Sequence, residues 1–110
     1  MKSLAVRQHA TATGPVLHVT GDLDHDQAPV LRGRLDQLSL APGQCLVLDL
    51  SGLEFCDSSG ITALLAARQH ALAAGADIVL AAVPANLLRV LTLVGLDQIF
   101  TLRPDSSPAS

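Results

Sequence analysis

The chain has 110 residues, the size of one domain, and 49% of them are hydrophobic. Only Phe55 and Phe100 are aromatic, so the core must be built from Leu, Val, Ile and Ala. A formal net charge of −3 excludes nucleic acid as the main partner, because neutralising phosphates takes clustered Lys and Arg.

No apolar run is long enough to span a bilayer, so no membrane insertion is expected. The N-terminus, MKSLAVRQHA, lacks the apolar stretch of a signal peptide. Cys45 and Cys56 have no metal-ligand spacing. A cytoplasmic, reduced protein with two free thiols is expected.

In chain order, Leu4 to Thr11 alternates loosely and reads as an edge strand. Thr13-Gly14-Pro15 signals a turn, and Val16 to Thr20 reads as the second arm of an antiparallel hairpin. Gly21 to Asp26 reads as a polar loop. Ala28, Leu31, Leu35 and Leu38 then recur at helical spacing, with Asp26 expected as N-cap and Pro29 in the first turn. After the Ala41-Pro42-Gly43 turn, Cys45 to Leu50 is an apolar run suited to a strand covered on both faces.

A short loop is expected next, and then a helix from about Ser58 to Ala74. Its apolar stripe is Ile61, Leu64, Leu65 and Leu72, and Gly75 ends it. Asp77 to Val83 reads as another buried strand. Pro84 opens a helix carrying Leu87, Leu88, Leu91 and Val94, closed by Gly95 and Leu96. Ile99 to Leu102 is expected as a last short strand, and residues 104–110, PDSSPAS, as a disordered tail behind a domain of residues 1–103.

Strands alternating with helices after the hairpin predict an α/β fold with parallel pairing and right-handed crossovers. Function in such sheets concentrates in loops beyond the strands' C-terminal ends. The loops after the second and third strands, Gly21 to Asp26 and Ser51 to Gly60, are therefore expected at one end of the sheet.

Several chemistries can be weighed on these loops. A phosphate-binding P-loop needs Gly-x-x-x-x-Gly-Lys, and the lone lysine is Lys2. An aspartyl-phosphate receiver would use Asp49 at a strand end but also needs a late lysine. Asp22, Asp24 and Asp26 begin like a calcium loop, yet its sixth and twelfth positions are Gln27 and Gly33. The histidines His9, His18, His25 and His70 are scattered, so no metal and no cofactor is expected. Ser58 and Ser59 lack the leading glycine of a nucleophile elbow, which leaves a serine enzyme only through a spatial triad with His25 or His70.

Asp57-Ser58-Ser59-Gly60 opens a helix, where unpaired N–H groups and the dipole favour negative charge. Asp57 or Ser58 can simply cap that helix, an effect worth about 1 kcal/mol. A hydroxyl there can also carry a phosphate.

Three segments carry a resemblance: VLHVTGDLDHDQAPVLRGRL, LVLDLSGLEFCDSSGITALLAA and NLLRVLTLVGLDQIF. Together they cover most of the chain, and it resembles the STAS domain family, specifically bacterial anti-sigma factor antagonists. The resemblance implies a mixed β-sheet, with an antiparallel N-terminal hairpin strand, otherwise parallel, and helices packed mainly on one face. It implies no enzymatic activity, but binding to an anti-sigma factor that is also a serine kinase. Phosphorylation of Ser58 would end that binding and a serine phosphatase would restore it.

Asp24, Asp57, Ser58, Ser59 and Gly60 are implied at the partner surface. Ser59 would cap or orient, and Gly60 would admit the partner backbone. Asp49 would only brace the loop. The alternative role is a non-switching STAS scaffold of a stress-sensing assembly, or an accessory subunit of a transporter. Many relatives end in a further helix where this chain has a polar tail, so a homodimer or another partner is expected over the apolar surface left uncovered.

Overall fold

The computed structural model describes residues 3–105. Strands β1 (Ala5–Thr11) and β2 (Gly14–Leu23) form the expected antiparallel hairpin, with Ala5 opposite Thr20 and Thr11 opposite Gly14. The turn is Ala12-Thr13, one residue earlier than the sequence signal. Gly14 belongs to the strand instead: its φ is 143°, and a Cβ there would lie 2.3 Å from the Cys45 carbonyl oxygen.

β2 does not stop at Thr20. It runs on through Gly21, Asp22 and Leu23, where a loop was expected, because a partner strand is available. That partner is β4 (Leu53–Cys56), inside the segment read as loop. Its four residues bury only Leu53 fully, too little for an alternating signal. β3 (Cys45–Asp49) pairs in parallel with Val16 to His18, and β4 pairs in parallel with Gly21 to Leu23. Both therefore use the same edge of β2, with the Ser51-Gly52 turn between them.

β5 (Asp77–Ala81) lies parallel to β3, and β6 (Thr101–Arg103) parallel to β5, giving the order β1-β2-β3-β5-β6 with β4 beside β2. β5 ends two residues before Val83 because Ala82 turns into the left-handed region, φ 53°, and donates its N–H to the Arg103 carbonyl. A short 3-10 turn, Leu96–Gln98, precedes β6, so Ile99 and Phe100 fall outside the strand.

Three helices cover one face: α1 (Ala28–Asp36), α2 (Ser58–Ala73) and α3 (Ala85–Leu93). On that side Leu17, Val19, Leu46, Leu48, Ile78 and Leu80 of the strands join the buried helix residues in one core. α2 buries Gly60, Ala63, Leu64, Ala67 and Ala71, a stripe of mostly small residues that brings the helix close to the sheet. Ile61 and Leu65 flank this stripe, but Leu72 faces solvent, against the expected pattern. α3 reaches the core through Leu87 and Leu91, one turn apart, whereas Leu88 and Val94 are exposed. The opposite face of the sheet carries a smaller cluster of Val16, Val47, Val79 and Ala81. Of the expected tail, residues 106–110 lie outside the described residues. Among the described residues, no helix is long and apolar enough to cross a membrane.

Candidate functional site

The two expected loops do meet. The Asp57 N–H donates to the Leu23 carbonyl at 3.3 Å, which ties the start of α2 to the end of β2. Asp57 is the N-cap: its backbone is extended, and its Oδ1 accepts from the Gly60 N–H at 3.1 Å. The Asp57 carbonyl accepts the first helical hydrogen bond, from the Ile61 N–H at 3.0 Å.

Gly60 is buried beneath this turn. A Cβ at that position would lie 2.5 Å from the Leu23 carbonyl oxygen and 2.6 Å from Cys56 Sγ. Gly60 thus lies close against the chain's own β2 and β4, which is what lets α2 begin so near the sheet. Gly60 shapes the site from below, while Ser58 and Ser59 form its outer surface.

The two hydroxyls differ. Ser58 is exposed, and its side chain makes no hydrogen bond among the described residues. Ser59 is half-buried; its Oγ lies 3.5 Å from His25 Nδ1, facing a cleft between α1 and α2 that Arg32 and Thr62 also line. Of the two histidines considered for a triad, His25 approaches Ser59, whereas His70 Nε2 lies 3.3 Å from the Leu38 carbonyl, away from both serines. Among the described residues no carboxylate meets the other His25 nitrogen, so the Ser59–His25 contact stands without an orienting acid.

Asp24, half-buried just after β2, has a structural task. Its Oδ1 accepts from the Gln27 N–H at 3.0 Å, and its carbonyl accepts from the Ala28 N–H at 2.7 Å. Asp24 therefore supplies the capping contact expected of Asp26, while Gln27 occupies the N-cap position without a side-chain cap and Asp26 is exposed. The Gln27 side chain turns instead to accept from the Leu4 N–H at 3.2 Å. Pro29 sits in the first turn, as expected. Asp49 braces the crossing between β3 and β4, its Oδ1 accepting from the Ser51 N–H at 2.9 Å.

Phe55 on β4 is half-exposed. It lies opposite Asp22 in the register, two residues before the cap. Behind it, Cys56 is pushed up to about 11, chiefly by burial and secondarily by the neighbouring Asp57 charge. This thiol is protonated at neutral pH and is not a nucleophile of the site.

The family model described as "Mlab, STAS domain" matches residues 6–104. An anti-sigma F factor antagonist from Paenibacillus polymyxa is 28% identical over 89 residues, 79% of this chain and 75% of that protein. The crystal structure of an anti-sigma factor antagonist from Mycobacterium paratuberculosis superimposes with a TM-score of 0.80 at 28% identity, over 93% of this chain and 86% of that one. The Bacillus cell fate determinant SpoIIAA in its phosphorylated form has a TM-score of 0.69 at 20% identity, over 94% and 92%.

Proposed function

Because this chain belongs to the STAS domain family, we propose that it is an anti-sigma factor antagonist switched by phosphorylation of Ser58. In this reading it is a cytoplasmic binding protein rather than an enzyme, with no cofactor. The unmodified chain binds an anti-sigma factor that is also a serine kinase, and so frees a sigma factor. The kinase then phosphorylates Ser58, the complex separates, and a serine phosphatase restores the hydroxyl. Asp24, Asp57, Ser58 and Ser59 face the partner, on a turn that Gly60 allows to lie flat on the sheet.

The observation that carries this reading is the contrast between the two serines. Ser58 offers an exposed hydroxyl with no hydrogen-bond partner among the described residues, at the first position of a sixteen-residue helix. Ser59 is turned toward His25. Relatives named as anti-sigma factor antagonists support the same role, and a Bacillus cell fate determinant of the same fold is known in a phosphorylated form.

The energetics are local. A phosphate adds about −1.5 to −2 charge, and the helix terminus offsets roughly 0.3–1 kcal/mol of its cost in the free chain. In the complex the same charge stands beside Asp57 at a surface packed for a neutral hydroxyl. About 4 kcal/mol of repulsion and desolvation weakens binding roughly a thousandfold, with no change of fold.

The test is phosphate transfer. Wild type and Ser58→Ala are incubated with ATP and lysate of the source organism, and phosphopeptides are mapped by mass spectrometry. Phosphate on Ser58, absent from the variant, supports the switch. An unmodified Ser58 in a lysate that phosphorylates other antagonists overturns it in favour of a non-switching scaffold or a transporter accessory role.

A further inference from the structure

On the sheet face away from the helices, His18 Nδ1 lies 3.0 Å from Asp49 Oδ2, and His18 Nε2 lies 3.2 Å from His9 Nδ1. The hairpin register sets Arg7 opposite His18 and Val16 opposite His9, so the two imidazoles are diagonal neighbours on one face of β1 and β2. Their rings are inclined by 21° with centroids 5.0 Å apart. They form the wall of a groove that Arg7, Thr20, Asp49 and Ser51 also line.

We propose that His9 and His18 form an open binding site for a divalent first-row transition ion such as Zn²⁺ or Ni²⁺, with Asp49 positioning His18. Three features support it. First, two nitrogens about 2.0–2.1 Å from one ion at an angle of about 90–110° stand about 2.8–3.4 Å apart, and these two stand 3.2 Å apart. Second, an ionised Asp49 only accepts, so His18 carries its proton on Nδ1 and turns the lone pair of Nε2 toward His9. A carboxylate on the far nitrogen is the usual support of a metal-binding imidazole, and Asp49 is nine-tenths buried and anchored by the Ser51 N–H. Third, imidazole nitrogen suits zinc, nickel and copper.

No third protein donor joins the pair among the described residues, so water fills the remaining positions and the ion stays exchangeable. Without an ion, the His18 Nε2 lone pair accepts from the His9 Nδ1–H. Binding moves that His9 proton to Nε2, a change of tautomer with no net proton lost, and turns the exposed His9 ring so that its Nδ1 lone pair and that of His18 Nε2 converge on the ion. The Arg7 charge opposes the ion and keeps the site weak. The four histidines looked scattered in the sequence; the hairpin register brings two of them together.

The experiment is titration of the full chain, free of any histidine tag, with Ni²⁺ or Zn²⁺, followed by calorimetry and by the imidazole ¹⁵N resonances. One ion per chain is expected, with shifts at His18 Nε2 and His9 Nδ1. Asp49→Asn should weaken binding about 10- to 100-fold, Arg7→Ala should tighten it, and His25→Ala should leave it unchanged. His9→Ala alters an exposed side chain, keeps the fold by circular dichroism, and should abolish the site. No saturable binding by the wild type, or equal binding by His9→Ala, overturns the proposal.

Discussion

The Asp57 carboxylate accepts from the Gly60 N–H at 3.1 Å, and this contact joins the residue that caps α2 to the residue that lets α2 approach the sheet. Asp57→Ala removes the acceptor and leaves an N-terminal N–H unpaired. The expected loss is about 1 kcal/mol, read as a lower urea midpoint at unchanged slope. Asp57→Asn keeps an acceptor at the same place and should lose only a fraction of that. Equal losses for both variants would mean that charge at the helix terminus, and not the cap contact, stabilises this turn.

Two helical glycines should respond in opposite ways to alanine. Gly33 in α1 has no atom within 4 Å of where a Cβ would stand, so Gly33→Ala relieves only the entropy of a flexible backbone. It should stabilise the chain by about 0.4–1 kcal/mol. At Gly60 the same methyl meets the Leu23 carbonyl and the Cys56 sulfur, and Gly60→Ala should cost about 1–3 kcal/mol as α2 is forced outward. Thermal unfolding of the two variants beside wild type checks both signs at once.

Most of the fold was legible because each long element carries its own signal. The Leu31 and Leu35 spacing shows α1, the apolar run Cys45 to Leu50 shows β3, and Gly75 and Gly95, both at positive φ, mark where α2 and α3 stop. What was hidden depends on tertiary partners. β4 is four residues long with one fully buried side chain, and becomes a strand only because β2 has a free edge at Gly21 to Leu23. Ala82 adopts a left-handed conformation that its own side chain disfavours, held by the Arg103 carbonyl. At the site, the Asp57 cap was readable from the motif, but the capping contact made by Asp24, in place of Asp26, depends on where β2 ends.

Cys56 yields a prediction in alkali. Burial and the Asp57 charge raise its thiol from 9.0 to about 11, so the folded state holds the proton more tightly than the unfolded chain. The resulting stability is fully present below about pH 9 and is lost as pH rises toward 11, the reverse of a salt-bridged carboxylate. Cys45 is raised as well, chiefly by burial, and adds to the same loss. Cys56→Ser should therefore flatten the decline in stability between pH 9 and 11. At pH 8 the Cys56 thiolate is about 100-fold scarcer than that of an ordinary thiol, so iodoacetamide should label native Cys56 correspondingly slowly and unfolded Cys56 at the normal rate.

The last prediction separates charge from shape at the proposed phosphorylation site. Ser58 is exposed and uses no side-chain hydrogen bond, so Ser58→Ala should leave stability within about 0.5 kcal/mol of wild type. It should still bind the anti-sigma partner and act as a constitutive antagonist. Ser58→Asp places a carboxylate next to Asp57 without unfolding anything, since negative charge is favourable in the first turn of α2. Its unfolding midpoint should equal or exceed that of wild type while its affinity for the partner falls. A single charge is smaller than a phosphate, so a loss of about 10- to 100-fold is expected rather than a thousandfold. Ser59→Ala removes the contact with His25 and should have the smaller effect on modification, because the acceptor hydroxyl is untouched. Tight binding by Ser58→Asp at wild-type stability would show that charge at this position does not govern the complex.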